Sequence, residues 1–375
     1  MMSAADGSSS RYGATALVPC LFLLACLVIG CAQKQQVDTT PIFFPPPPNN
    51  PRIQFLTSFS SSRQISEDES AISLVVIGDV ERLGTHVIVK PYGIAFHKGK
   101  IYVADTAAAT VHIIDMVNKT FDELKGNYNI GKLKKPINVA LDEDDNLYVT
   151  DTFRKEILVY DAAGNFRSTI GKGLSWKPID IAIYGDNIYV TDFKNHEVKV
   201  FDRKSGRLLD SFGRTGAEDP MDNLSMPIGI AVDVDGTIRV TNMTTGRVVH
   251  LDRDGHVLDS FGKLGDGFGQ FGRPKGITID SKGRIYVVDA AHQNVQIFNE
   301  KGRLLMFFGD PPLPRGALNL PADIAVTSEN LDFYQKYAAP GFVLEEVIFV
   351  TNQYGNDKIA VYGMGKMKGI KYEAD

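Results

Sequence analysis

Two residues after a recurring proline, the chain places Gly93, Asn138, Asp180, Gly229, Gly276 and Asp323. Glycine at a strand position permits close approach of backbone. Asn138, Asp180 and Asp323 break that pattern and bring side-chain oxygens to one register position, a donor set suited to Ca²⁺ or to a chain of waters. The competing reading is that they hydrogen-bond neighbouring strands. A second concentration of chemistry is basic: the segments GKLKKP, TFRKE, GKGLSWKP and DFKNHE carry Lys132, Lys134, Lys135, Arg154, Lys155, Lys172, Lys177 and Lys194, with the only tryptophan, Trp176, among them. The 375-residue chain has a net charge of −5, so this is a local excess. Clustered cations beside an aromatic ring suit a polyanion or a glycan. The acidic total argues against a protein that holds nucleic acid by bulk charge.

Other reactive groups are dispersed. Of the histidines His86, His97, His112, His196, His250, His256 and His292, only His196 and His292 fall in the same class of loop as the lysines, and no three converge on a zinc set. There is no GxSxG elbow for a serine nucleophile, and GDGFGQFG at 265–272 has no following helix to receive phosphate. Cys20, Cys26 and Cys31 all precede residue 32, which excludes a disulfide or a thiolate metal site further along.

The elements that must position these residues are repeats. A proline followed by an apolar pentad recurs as PYGIA, PINVA, PIDIA, PIGIA, PKGIT and PADIA, beginning at Pro91, Pro136, Pro178, Pro227, Pro274 and Pro321, with spacings of 42 to 49 residues. Each copy continues with a second run such as IYVADT or LYVTDT, a third such as ILVYD or VKVFD, and in most a fourth ending in Phe-Gly or Ile-Gly, with hairpin signals between them. Four short antiparallel strands repeated six times predict an all-β, six-bladed β-propeller over residues 52–375. Each blade is too small to bury its faces alone, so the six form one domain. By propeller convention, the loops from strand four to strand one and from strand two to strand three share a face around the channel mouth, where Asn138, Asp180, Asp323 and the lysines then lie.

Three further expectations follow. Asp105, Asp151, Asp192, Asn242, Asp289 and Asn352 close every second strand, and a residue present six times around a ring reads as a turn cap rather than a binding site. The sixth unit ends after its third strand at Gly363, so closure needs an N-terminal strand; IQFLTSFS at 53–60 is favoured over SLVVIG at 73–78. From Pro321 to Ile348 takes 27 residues, against 10 or 11 in the other units, and the extra SENLDFYQKYAAPGFVLEE predicts a short helix on the opposite face, capped by Ser328 or Asn330 and stopped at Pro340-Gly341. An insertion of that length is either functional or a plug for the far end of the channel.

Ahead of the repeats, the apolar run at 12–30 has the length of a secretory signal segment; an uncleaved anchor helix is the alternative. Residues 33–51, polar and then TTPIFFPPPPNNP, read as a polyproline spacer. The end of the run, Val28-Ile29-Gly30-Cys31, resembles the lipobox of bacterial lipoproteins. That resemblance implies a signal peptide over 1–30, lipid on Cys31, a tether over 31–51 and, with Ala32 next, sorting to the outer membrane.

The six units resemble the NHL repeat family over residues 91–363. A relative in that family, the peptidyl-hydroxyglycine amidating lyase, binds zinc through channel histidines, which do not converge here. RNA binding, used by some relatives, conflicts with export. The expected function is therefore a lipid-anchored, non-catalytic binding or scaffold module of the cell envelope, with no cofactor and with an envelope protein, polyanion or glycan as partner. The alternative is a metal-dependent lyase or hydrolase at the channel mouth, working through Asn138, Asp180, Asp323 and His292.

Overall fold

β-Branched and aromatic residues dominate the inner strands of each repeat, and in the structure those strands are sandwiched between neighbouring blades. In a computed structural model of the chain, the described residues are 40–66, 85–309, 313 and 315–372. The segment expected to be a signal peptide, Cys31 and the alternative closing segment at 73–78 lie outside them. Six antiparallel sheets follow one another along the chain. Blade three is representative: Pro178–Tyr184, Asn187–Asp192, Glu197–Asp202 and Leu208–Phe212 pair in sequence order. Burial falls outward, because only the inner strands have blades packed on both faces. Leu147–Asp151 and Ile285–Asp289 are buried at every position, whereas the outer strand Leu208–Phe212 is largely exposed.

The repeat proline has a structural consequence. It begins each first strand, and in all six blades the pairing with the second strand shifts register just after it, at Pro91/Ile94, Pro136/Asn138, Pro178/Ile181, Pro227/Gly229, Pro274/Ile277 and Pro321/Ile324. Proline lacks the N–H that a regular ladder needs, and a bulge re-aims the side chains within it. The residue two after the proline sits in that irregularity.

The ring closes through Ile53–Phe59, which runs antiparallel to Ile359–Met367 with Phe59 opposite Ile359 and Gln54 opposite Gly363. This is the favoured closing segment. Outside it Ile42–Phe44 adds a fifth strand, with Phe43 opposite Gln54. The proline-rich segment therefore differs from a free spacer reaching residue 51. Its apolar Ile42, Phe43 and Phe44 dock on blade six, and Phe44 is buried against Phe308 and Tyr362, with ring centroids 6.1 and 6.2 Å away.

The sixth-blade insertion forms the helix Leu331–Gln335, with Asn330 at its N-cap position but no side-chain cap bond. Tyr334 is buried against Phe349, and the second strand of the blade is prolonged to Phe342–Asn352. The Gln54 amide donates to the Tyr337 carbonyl (3.3 Å) and accepts from Ala339 N–H (2.9 Å). The insertion thus braces the closing strand, and none of its residues lines the central channel.

The residue closing each second strand is a cap, as its sixfold recurrence implied. Asp151 accepts from the backbone N–H groups of Lys134 (2.6 Å) and Lys135 (3.0 Å) in one loop and of Phe153 (3.0 Å) and Arg154 (2.9 Å) in another. Asp105 does the same with Val89, Lys90, Ala107 and Ala108. Burial pushes the Asp105 carboxyl up, but hydrogen bonds from His112 and these amides outweigh it and hold its pKa at about 2. Each of the four aspartate caps joins a strand-four-to-one loop to a strand-two-to-three loop on a single face. Asp151→Ala removes an acceptor shared by four amides and is expected to lower the unfolding free energy by at least about 2 kcal/mol, read from urea denaturation at neutral pH.

Candidate functional site

Asn138, Asp180 and Asp323 meet on the propeller axis. All three are buried, each 4% exposed. The Asn138 amide nitrogen donates to Asp180 Oδ1 and to Asp323 Oδ2, the latter at 3.1 Å. Ile230 N–H donates to Asp180 Oδ2 (2.8 Å) and Ile94 N–H to Asp323 Oδ2 (3.0 Å), so each carboxyl reaches the first strand of another blade. Glycine makes the room: a Cβ on Gly93 would collide with the Asn138 side chain, and one on Gly276 with that of Asp323.

Threonines in the second strands complete the network. Thr150, Thr241 and Thr351 donate to the carbonyls of Ile179, Lys275 and Tyr92 in the next blade at 2.7, 2.7 and 2.6 Å. Sequence reading overlooked these threonines, although they share one position, immediately before the capping Asp or Asn. The three polar residues are not at the mouth, where the sequence reading put them. One layer outward, Ile137, Ile179 and Ile228 cluster with Tyr92, and Lys275 lies over the Tyr92 ring. Below the polar layer a cavity of about 360 Å³ runs along the axis towards His97, Leu141, Ile183 and Val326, at the other end of the first strands. Asn138, Asp180 and Asp323 form its floor.

Burial pushes both carboxyls up. Asp180 is raised well above the usual carboxylate range by desolvation and then by the charge of Asp323; Asp323 is raised, chiefly by burial, to about 7. Two buried carboxyls this close cannot both ionise cheaply. The Asn138 amide and backbone N–H groups already occupy their oxygens, so the layer is an internally bonded polar plug. A raised folded-state pKa means that the folded chain keeps a proton the unfolded chain has released. The associated stability is complete below about pH 4 and is lost as pH rises to about 7. Thermal melts between pH 4.5 and 8 should show this decline, by at most about 1.4 kcal/mol per pH unit for each proton, and Asp323→Asn should flatten it.

The lysine-rich loops do share one face, with two corrections. Trp176 is 1% exposed: it packs on Phe201 and donates its indole N–H to the Lys155 carbonyl (2.7 Å), so it is core and not a ligand platform. Arg154 is spent internally, on Glu156 (2.9 Å) and on the carbonyls of Ile130 and Lys132 (2.8 and 2.9 Å). Lys132, Lys134, Lys135, Lys155, Lys172, Lys177 and Lys194 remain exposed. Lys194 bonds Ser175 Oγ (2.6 Å). The aromatic partners are Phe153, 5.2 Å from Lys134, and Phe193, 4.4 Å from Lys177. A groove of about 720 Å³ runs between Lys134, Phe153, Ile130, Phe166 and Lys172, and Ile130 and Phe153 are 73% and 66% exposed.

Reading the lysines by segment missed cations that share a register position. Lys90, Lys135, Lys177 and Arg273 each precede a repeat proline, and Lys275 follows one. Lys275 is held down to about 8, first by burial and then by the charges of Arg273 and Lys90.

Among the described residues no three histidines converge; His86 and His112 share Glu123, at 3.2 and 4.0 Å. His292, expected beside the axial oxygens in the enzyme alternative, instead bonds Asp289 (2.8 Å) and Asp266 (3.1 Å). His196 accepts from Met226 N–H (2.9 Å). Among the described residues, three metal-type ligands come together at Asp252, Asp254 and His256, where Asp252 caps the turn through Asp254 and His256 N–H.

The NHL repeat pattern matches residues 176–201 and 271–298. The Drosophila melanogaster protein brain tumor is 30% identical over 95 residues, 25% of this chain. The chain spans only 9% of that relative's length. A structural-genomics protein from Bacteroides thetaiotaomicron superposes with a TM-score of 0.56 at 17% identity, covering 83% of this chain and 75% of its own. A gluconolactonase from Xanthomonas campestris gives 0.53 at 18% identity, covering 74% and 86%. At such identities the two structures speak for the fold alone. The chain is a six-bladed β-propeller, and the NHL repeat pattern falls on two of its six like blades.

Proposed function

We propose that this propeller is a non-catalytic binding module of the bacterial cell envelope, held at the outer membrane by lipid on Cys31. On this reading it presents the lysine-rich face of blades one to three to an acidic protein segment. The observation that carries the reading is the groove between Lys134, Lys172, Ile130 and Phe153, where cationic and apolar side chains stand exposed together. The backbone beneath is held by the Asp151 cap, so the groove needs little ordering when it is filled. Apolar side chains of a partner would cover Phe153 and Ile130 while its carboxylates meet the lysines, which gives steering and register together. Several acyl chains on the N-terminus would make the attachment stable where one would not.

Crosslinked affinity capture from the protein's own membranes tests this. The variant with Lys134, Lys135, Lys172 and Lys177 all changed to Glu should lose its partner by roughly tenfold or more, and raised salt should weaken wild-type capture. Capture that survives both changes would sink the proposal. Cys31→Ser should shift the chain from the membrane to the soluble fraction on cell fractionation.

A further inference from the structure

One cation at the channel mouth is out of keeping with its position. Lys275 is the second residue of its first strand, where blades two, three and four carry Ile137, Ile179 and Ile228. It is 3% exposed. Its ammonium has the Tyr92 ring 5.3 Å away and makes no hydrogen bond or ion pair among the described residues. The lysine is largely stripped of water although its ammonium nitrogen still reaches solvent, and an incoming anion gives that nitrogen a partner. Arg273 and Lys90 lie close enough to add their fields, and Lys90 stands over the exposed Tyr354 ring at 5.6 Å. Beside it the mouth carries an apolar cluster, in which Ile137, Ile179 and Ile228 pack with Tyr92, Phe193 and Met243. One side of the mouth therefore offers an unpaired ammonium, and the other offers a hydrophobic wall.

From this geometry we infer that the axial mouth binds the terminal carboxylate of a peptide chain whose last side chain is apolar, with Lys275 anchoring the carboxylate. Within a polypeptide, only the C-terminal residue carries a carboxylate and an apolar side chain on the same α-carbon. Inorganic phosphate supplies the charge without the apolar part, and an internal aspartate or glutamate holds its carboxylate away from any apolar group of its own. The inference rests on reading this face as a binding surface, and it names one group that the surface takes.

The test is fluorescence anisotropy with the full chain in detergent and a fluorescein-labelled six-residue peptide ending in phenylalanine, as the free acid and as the C-terminal amide. The free acid should bind saturably. Amidation and Lys275→Met should each weaken binding at least about tenfold. Methionine matches the lysine in length without its charge, so the melting temperature of this variant should not fall, which separates lost binding from lost folding. Equal binding of acid and amide, equal binding by Lys275→Met, or no saturable binding of the acid overturns the inference. So does inorganic phosphate that displaces the peptide with an affinity equal to the peptide's own.

The double variant Lys134→Glu with Lys172→Glu should leave peptide binding within about twofold of wild type, because both residues line the groove and not the mouth. If the four-lysine variant loses its membrane partner while Lys275→Met binds the peptide like wild type, only this inference fails. If peptide binding depends on Lys275 while the four-lysine variant keeps its partner, only the reading of the groove fails.

Discussion

Everything in this structure depends on closing a ring of units that cannot stand alone. A single four-stranded sheet has two faces to bury, and each blade does so only against its neighbours. Blade six lacks an outer strand of its own until Ile53–Phe59 pairs with Ile359–Met367. That ladder joins the two ends of the fold without a disulfide. It is reinforced from both sides, by Ile42–Phe44 on the outer edge and by Gln54 reaching the sixth-blade insertion. The long insertion, which invites a functional reading because of its length, is in this chain part of the clasp.

Closure brings six first strands to a common axis, where repetition becomes a problem. Six identical side chains would collide, and six glycines would leave a void. The chain answers with a mixed layer: Gly93 and Gly276 yield space to Asn138 and Asp323, Gly229 admits the Lys275 carbonyl and Thr241, and Asn138, Asp180 and Asp323 bond to one another and to the backbone of other blades. Burial raises the carboxyl pKa values, and for Asp180 the charge of Asp323 adds to it. The plug divides the axis into a polar cavity on one side and, on the other, a shallow mouth of isoleucine, tyrosine and lysine. The two sides of the plug thus differ in chemistry, with carboxyl groups flooring the cavity and lysine and arginine beside the mouth.

The loop face owes its order to the six caps. Each buried Asp of the set gathers amides from two loops, so lysines scattered over the chain between residues 132 and 194 reach solvent from a rigid platform. The same platform explains why Trp176 turned inward. The Trp176 indole donates to the Lys155 carbonyl and its rings pack on Phe201 and lie against Gly171, a place that composition alone does not distinguish from a surface one. Arg154 was likewise consumed by loop carbonyls and Glu156, since a planar guanidinium fits several acceptors at once.

Period and pattern were local properties, so the sequence by itself determined the blade count, the strand order within a blade, the capping role of Asp105, Asp151, Asp192, Asn242, Asp289 and Asn352, and the need for an N-terminal strand to close the ring. Each follows from residues within one repeat or from a missing strand that must be supplied. What tertiary structure alone decided was which repeated positions meet and which side chains remain free. Asn138, Asp180 and Asp323 share a register position, but only the bulge after each proline and the turn of the ring place them in contact below the mouth. Lys275 looked like an ordinary variation in one pentad, because its meaning comes from the five other blades around it. A repeat sets the chemistry of a position, and ring closure sets its neighbours, since residues some 40 to 230 positions apart come within a hydrogen bond only when the last blade meets the first.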